Sequence, residues 1–281
     1  MTSRPSRPAG PDTLDPDRRA AAFFDLDKTV IAKSSTLAFG RPFFQGGLIN
    51  RRAMLKAAYA QFVFHAAGVD ATQMARLRDQ ITTLCAGWDV EQVRDIVDET
   101  LHEIVDPLIY DEAADLIEEH HAAGREVVIV SSSGEEVVAP IGAMLGADHV
   151  IATRMVVQDG CYTGEIAQYV YGATKAQVIR DIAAARGYRL ADCYAYSDSA
   201  TDVPMLESVG RPTAVNPDRA LRRIARERGW EIRDFERPVS LRARLPAGRP
   251  GRTAVAGTAV GIGAAAAGIA WYATRKRSAR D

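Results

Sequence analysis

The sequence predicts an α/β protein: a parallel sheet flanked by helices, an all-helical segment inserted after the first strand, and an apolar stretch near the C-terminus. Three observations lead there. The apolar run from Ala20 to Phe24 ends in Asp25-Leu26-Asp27-Lys28-Thr29, which reads as a buried strand that releases two carboxylates where it stops. From Asp111 to Pro217, helical stretches alternate with short apolar runs, the order of strands joined by crossover helices. Residues 31–105 interrupt that order and carry helix signals only.

Each element has its own warrant. Glu126-Val127-Val128-Ile129-Val130 is a continuous apolar run that follows a helical stretch from Asp111 to Ala123 and the stop Gly124, giving helix, turn and buried strand. Met155 to Gln158 and Cys161 to Glu165 flank Asp159-Gly160, a hairpin signal, because both central residues of its tight turn need positive φ. A helix from Thr174 to Arg186 closes at Gly187, and Cys193 to Tyr196 is the next strand. Arg211 to Pro217 is a last short strand with its turn. In the inserted segment Asn50, Asp70 and Asp89 each precede a helix-compatible run, and Asp70 with Gln73 and Asp89 with Gln92 have capping-box spacing. Phe39, Phe43, Phe44, Tyr59, Phe62 and Phe64 are concentrated there. They are expected to pack the core of a small bundle, and together they could line an apolar pocket. Placed after the first strand, the segment would form a lid over its carboxyl end.

Composition bounds the rest. The chain has 281 residues, 47% hydrophobic and 25% charged, enough for one sizeable core and a smaller unit. A formal net charge of -1 leaves no excess to steer it to nucleic acid. Three cysteines, Cys85, Cys161 and Cys193, are an odd number without paired spacing, which argues against a disulfide framework or zinc cluster and for a reducing compartment. Residues 1–19 are rich in Arg, Pro, Ser and Asp without an apolar stretch, so they read as a disordered lead-in rather than a signal peptide. Near the other end, residues 253–273 carry no charge, between Arg252 and Arg275-Lys276-Arg277. As a helix they would reach roughly 30 Å, the thickness of a bilayer core. Two readings stand: a transmembrane helix, or, since most of the stretch is Ala and Gly, an Ala-rich soluble or interfacial helix. The expected division is a core of 20–30 and 106–245, a helical cap of 31–105, a linker of 246–252, the apolar stretch and a basic tail of 274–281. That places the body in the cytoplasm, anchored to the cytoplasmic membrane by its tail, or soluble there if the tail does not insert.

The polar groups at the ends of the apolar runs form a set. Asp25 and Asp27 follow the first, Ser131 the second, Asp198 and Asp202 the third, and Lys175 opens the helix before the third. In a parallel sheet these ends lie side by side, so distant residues converge on one crevice. Phosphoryl transfer needs such a set: an anionic nucleophile, a divalent ion to offset carboxylate and phosphate charge, and donors for the transferring oxygens. Oxygen ligands of this kind suit Mg²⁺. Taken singly, each has a plainer account. Asp after a strand caps the next helix, and Ser131-Ser132-Ser133-Gly134 is compatible with a capping turn. Lys175 alone would be a solvated lysine, and Asp198 with Asp202 a mildly repulsive pair four apart. The joint order is what points to a site. The five histidines show no metal spacing tied to it; His120 and His121, near a helix C-terminus, are expected to interact with its dipole.

Over about residues 20–235 the chain resembles the haloacid dehalogenase (HAD) superfamily, in its phosphoserine-phosphatase-like subfamily IB with a helical cap after the first motif. Asp25-Leu26-Asp27-Lys28-Thr29 stands for the first motif, Ser131 for the second, Lys175 for the third and Asp198-Ser199-Ala200-Thr201-Asp202 for the fourth. The Asp-Gly hairpin and Tyr169-Val170-Tyr171-Gly172 are also similar to this branch. The resemblance implies a Rossmannoid core and the following roles. Asp25 attacks phosphorus to form an aspartyl-phosphate, and Asp27 protonates the leaving oxygen and then activates water. Ser131 and Lys175, with Thr29 and Ser132, bind phosphate. Asp25, the backbone carbonyl of Asp27 and Asp198 bind Mg²⁺, and Asp202 supports the metal waters or Lys175. Phosphoserine phosphatases place a Glu after the first motif and an Arg in the cap to grip serine, and these positions are Ser34 and Gln80 here. A hydroxyl and a neutral amide do not replace an ion pair for a zwitterion. The implied substrate is therefore another small or lipid phosphomonoester, with phosphotransfer to an alcohol or a non-catalytic regulator on the same scaffold as alternatives.

Overall fold

All four residues of β1 (Ala21–Phe24) are buried, as a strand covered on both faces must be. It pairs in parallel with β2 (Glu126–Gly134) on one side and β5 (Tyr194–Ser197) on the other. The computed structural model describes residues 19–49 and 82–236. Residues 1–18 of the lead-in, the caps Asn50 and Asp70, the aromatics Tyr59, Phe62 and Phe64, the cap residue Gln80, the linker, the apolar stretch 253–273 and the basic tail lie outside the described residues, whereas Arg19 pairs with Tyr188 and Glu126. Within them, no helix is long and apolar enough to cross a membrane.

The described residues form a seven-stranded sheet in the order β4-β3-β2-β1-β5-β6-β7, with β3 His149–Gln158, β4 Cys161–Gln168, β6 Arg211–Val215 and β7 Glu231–Arg233. Every pairing is parallel except the β3–β4 hairpin. That hairpin turns at Asp159 (φ 51°) and Gly160 (φ 79°), the two positive φ values its tight turn requires. From β1 the chain builds β2 and β3 outward on one side, then returns to build β5, β6 and β7 on the other. The carboxyl end of β1 is therefore the topological switch point, where a parallel sheet opens a crevice.

Helices cover both faces: α1 Ser35–Ala38, α2 Gly40–Gln45, α3 Val90–Val105, α4 Asp111–Ala122, α5 Glu135–Met144, α6 Ala173–Arg186, α7 Val203–Leu206 and α8 Arg219–Arg228. Strand alternation sends Phe24 and Phe23 to opposite sides. Phe24 joins Val97, Ile117 and Ile141, whereas Phe23 joins Ile179 and Leu221. Each such side chain, fully buried, contributes about 1.5–3 kcal/mol. Val90, Val93, Val97, Leu101 and Val105 form the buried stripe of α3, at the spacing of one helix face. Phe39 and Phe43 are buried and pack together at 6.1 Å, with Trp88 5.7 Å from Phe43, so they serve the core.

Several sequence expectations need correction. β2 does not stop at Val130 but runs to Gly134 through a register shift against β3, so Ser131-Ser132-Ser133 is strand, while Gly134 also serves as the cap of α5, without a side-chain bond. Asp89 caps α3 by accepting from Gln92 N at 2.9 Å, yet the Gln92 side chain donates instead to Gly46 O at 2.8 Å, leaving half a capping box. The sequence reading also lacked α5, α8 and β7. α5 carries Pro140 and Gly142, poor helix formers. A Cβ on Gly142 would lie 2.4 Å from Val150 Cγ2, so close packing on β3 accounts for the glycine.

Candidate active site

Asp25 extends the ladder by one residue, its N donating to Tyr196 O at 2.9 Å. The chain then curls sharply: Val30 N and Ile31 N both donate to Leu26 O (2.9 and 3.1 Å), and Lys28 N donates to Ile31 O at 2.6 Å. Lys28 takes φ 65° to make this turn, a left-handed backbone that costs a non-glycine residue about 1 kcal/mol or more. The buried Leu26 side chain anchors the loop.

Three distant residues meet Asp25. Lys175, in the first turn of α6, places Nζ 2.6 Å from Asp25 Oδ1 and 2.7 Å from Asp202 Oδ2. Ser197, at the end of β5, donates to the same Asp202 oxygen at 2.8 Å. Thr29 donates to Asp25 Oδ2 at 3.2 Å, which holds the second carboxylate oxygen. Asp198 follows β5 on a loop held by Asp218: Asp218 N donates to Asp198 O (2.8 Å), and its carboxylate accepts from Ala200 N (3.1 Å) and Leu221 N (2.7 Å). The Asp198 carboxylate itself accepts no hydrogen bond from a described residue.

Asp27 is held separately. Ser35 N donates to Oδ1 at 2.7 Å and Ser133 Oγ to Oδ2 at 2.8 Å. Ser131 is buried, and its Oγ accepts from Ser133 N at 3.2 Å, which leaves its hydroxyl hydrogen to donate elsewhere. Ser132 makes no side-chain hydrogen bond among the described residues. The structure thus gathers Asp25, Asp27, Thr29, Ser131, Lys175, Asp198 and Asp202 around the end of β1. It adds Ser133, Ser197, Lys28 and Asp218, which the sequence reading did not single out. Ser197 adjoins Asp198 and Ser133 lies two residues past Ser131, but hydroxyls are too common for that spacing to identify them.

Charge in this crevice is unbalanced. Burial pushes the Asp25 carboxyl up to about 7; Lys175 opposes the shift, while Asp202 and Asp27 add to it. Burial and then the Asp25 charge push Asp198 up to about 8, with the Lys28 ammonium working against them. Burial would lower the Lys175 pKa, but Asp25 and Asp202 outweigh it and hold the ammonium above the ordinary lysine value. Two carboxylates, Asp25 and Asp202, share the buried Lys175 ammonium. Among the described residues no group of three His, Cys, Asp or Glu is arranged to hold a metal. Two hard carboxylates, Asp25 and Asp198, the second raised by the charge of the first, beside a loop of backbone carbonyls, still fit Mg²⁺, which takes few protein oxygens and keeps its waters.

Beneath Asp25, Phe24 stacks on Tyr196 at 4.4 Å, and His120 Nε2 lies 2.8 Å from Tyr196 Oη. Arg125 Nε donates to His120 Nδ1 at 2.7 Å, so Nδ1 is unprotonated and Nε2 carries the hydrogen. Burial, followed by the Arg125 charge, lowers the His120 pKa to about 3. His120 is therefore a neutral core residue and not the cation at a helix end that its position suggested; His121 pairs with Asp148 at 3.0 Å. A cavity of about 750 Å³, lined by Tyr194, Arg211, Arg228 and Trp230 among others, opens at the amino ends of β5–β7. It lies at the opposite end of the sheet from the carboxylates and takes no part in their chemistry.

The fold and the carboxylate cluster at its switch point define a hydrolase of the phosphate-ester type. Residues 22–207 match the haloacid dehalogenase-like hydrolases, and the chain belongs to that family. A Streptomyces azureus protein named for inhibition of morphological differentiation is 66% identical over 265 residues, 92% of this chain and 95% of its own. A probable phosphatase of Mycobacterium tuberculosis is 60% identical over 277 residues, covering 98% of this chain and 96% of its own. A phosphoserine phosphatase of the same species is 36% identical over 277 residues, 98% and 87% of the two chains. The chain is a HAD-type phosphatase of the phosphoserine-phosphatase-like kind.

Proposed function

We propose that the chain hydrolyses a phosphomonoester through an aspartyl-phosphate on Asp25, with Mg²⁺ as cofactor. The observation that carries this is the different environment of two carboxylates two residues apart. Asp25 is ion-paired to Lys175 at 2.6 Å, whereas Asp27 is held by the neutral donors Ser35 N and Ser133 Oγ. Such a difference lets one acid stay ionised while the other moves a proton.

In the first half-reaction an Asp25 oxygen bonds to phosphorus as the bond to the leaving oxygen breaks, and Asp27 gives that oxygen its proton, releasing an alcohol. In the second, Asp27 takes a proton from water, which attacks phosphorus and frees Asp25 with inorganic phosphate. Lys175 and Thr29 fix the attacking carboxylate. The Ser131 hydroxyl hydrogen and the third N–H of Lys175 are the donors for phosphoryl oxygens, with Ser132 at hand on the same strand. Asp25, the Asp27 carbonyl and Asp198 would hold Mg²⁺, which when bound would supply the positive charge that carboxylate and phosphate need in order to approach.

Ser34 caps α1 without a side-chain bond and carries no charge for a substrate ammonium. This favours a phosphomonoester other than phosphoserine, either a small metabolite or a lipid. The stretch 253–273 would bring the enzyme to the inner face of the cytoplasmic membrane and to lipid substrates. A regulatory role is the second reading, favoured by the name of the Streptomyces azureus relative. Phosphate release from phosphoserine, sugar phosphates, nucleotides and lysophospholipid phosphates, with Mg²⁺ or EDTA, tests the proposal. We expect Mg²⁺-dependent turnover of an ester other than phosphoserine, abolished in Asp25→Asn. Full activity in that variant would end the enzymatic reading, and added acceptor alcohols would reveal phosphotransfer through a phosphorylated alcohol product.

A further inference from the structure

Asp27 is the meeting point of three separate pieces of chain: the loop after β1, the first turn of α1 and the end of β2. Ser35 N donates to its Oδ1 at 2.7 Å and Ser133 Oγ to its Oδ2 at 2.8 Å, while Thr36 Oγ1 donates to Ser133 Oγ at 3.1 Å. Ser35 and Thr36 open the helical insertion, and Ser133 lies near the end of β2. The hydrogen bonds run in one direction. Thr36 occupies a lone pair of Ser133, so the Ser133 hydrogen is aimed at Asp27. The backbone N–H of Ser133 meanwhile holds Ser131 Oγ at 3.2 Å, and one residue thus sets both the proton carrier and a phosphate donor.

A backbone N–H cannot rotate away, so Oδ1 stays an acceptor and the transferable proton belongs on Oδ2. A carboxylic O–H oxygen still accepts through its remaining lone pair, so Ser133 can keep its grip while the proton points at the leaving oxygen. We infer that Ser133 and Thr36 form a clasp that positions Asp27 for proton transfer, and that the clasp is complete only when the first turn of α1 is seated on the end of β2. Both are positioning residues, not catalytic ones. The inference rests on Asp27 being the general acid, as proposed above.

Leaving-group dependence tests it. Proton donation matters for a basic alkoxide and little for 4-nitrophenolate. Ser133→Ala should lower kcat on a simple alkyl phosphate about 10- to 100-fold, part of the 10²–10⁴ that general acid catalysis contributes. KM should change little, and 4-nitrophenyl phosphate turnover should fall less than about 3-fold by the same argument. Ser133→Thr, which keeps the hydroxyl, should restore the alkyl rate, and Thr36→Val should show the same selectivity more weakly. If Ser133→Ala fails to fold, Thr36→Val carries the test. Equal losses on both substrates, or no rescue by threonine, overturn the clasp. Asp27→Asn separates the two layers: selectivity there with none in Ser133→Ala refutes the clasp alone, whereas no selectivity in Asp27→Asn refutes the general acid and the clasp with it.

Discussion

Lys175→Met removes the only buried ammonium among the described residues of the cluster and leaves two carboxylates behind. The Asp25 and Asp202 side chains are 8% and 3% exposed, at 2.6 and 2.7 Å from Nζ, so water cannot replace the lost charge. Removing one partner of a buried ion pair costs about 3–5 kcal/mol, on the order of 10 °C in Tm for a chain of this size. The loss depends on pH. Asp25 already has its pKa raised to about 7, and without Lys175 it rises further. A carboxylate with a folded pKa above its unfolded value binds protons more tightly when folded, so stability falls as pH rises from about 4. Urea unfolding in EDTA should therefore show a larger deficit at pH 8 than at pH 5.5. In Lys175→Met/Asp202→Asn only Asp25 remains unpaired, so the double variant should lose less than the sum of the singles by about 0.5–3 kcal/mol. Additive losses, or a Lys175→Met deficit below about 1 kcal/mol at both pH values, would refute the buried triad.

Three further outcomes follow from the same geometry. Because Asp25 and Asp198 titrate near 7 and 8 and bind a metal only when ionised, Mg²⁺ affinity measured by calorimetry should rise between pH 6 and 8 and level off above; a flat profile contradicts the assigned ligands. His120, with its pKa lowered to about 3, stays neutral in the fold while the unfolded chain takes up a proton near 6.5. Its contribution is thus complete above about pH 6.5 and lost toward pH 3, at no more than about 1.4 kcal/mol per pH unit. His120→Gln should flatten that acid limb in urea titrations, and an unchanged slope argues against the buried neutral tautomer. Finally, a Cβ at Gly210 would lie 1.8 Å from the Ala191 carbonyl oxygen, so Gly210→Ala should destabilise by about 3 kcal/mol or more, read as a clear drop in Tm; a neutral effect would mean the two backbones are not in contact.

The sheet and its reactive carboxyl end were legible because burial leaves a local trace: continuous apolar runs in β1 and β2, glycine stops at Gly124 and Gly187, and the Asp159-Gly160 turn. Lys175 alone resembles a surface lysine; only its place in order between Ser131 and Asp198 marked it. What stayed hidden depends on partners remote in sequence. The continuation of β2 through Ser133 comes from pairing of Gly134 with Thr153, and no local propensity announces it. β7 is a short edge strand of Glu231, Ile232 and Arg233, charged as edges tend to be. α8 buries only Leu221 and Ala225, too thin a stripe to stand out among its arginines. His120 looked like a helix-end cation because nothing nearby in sequence shows Arg125 directed at its ring or Tyr196 packed beneath it.

The central claim is that phosphate passes through Asp25. Rapid acid quench of the enzyme during turnover, followed by borohydride reduction and peptide mass spectrometry, tests it most directly. The account predicts homoserine at position 25, absent without substrate. Product formation with no acyl-phosphate, or with the phosphoryl group on another residue, would contradict it.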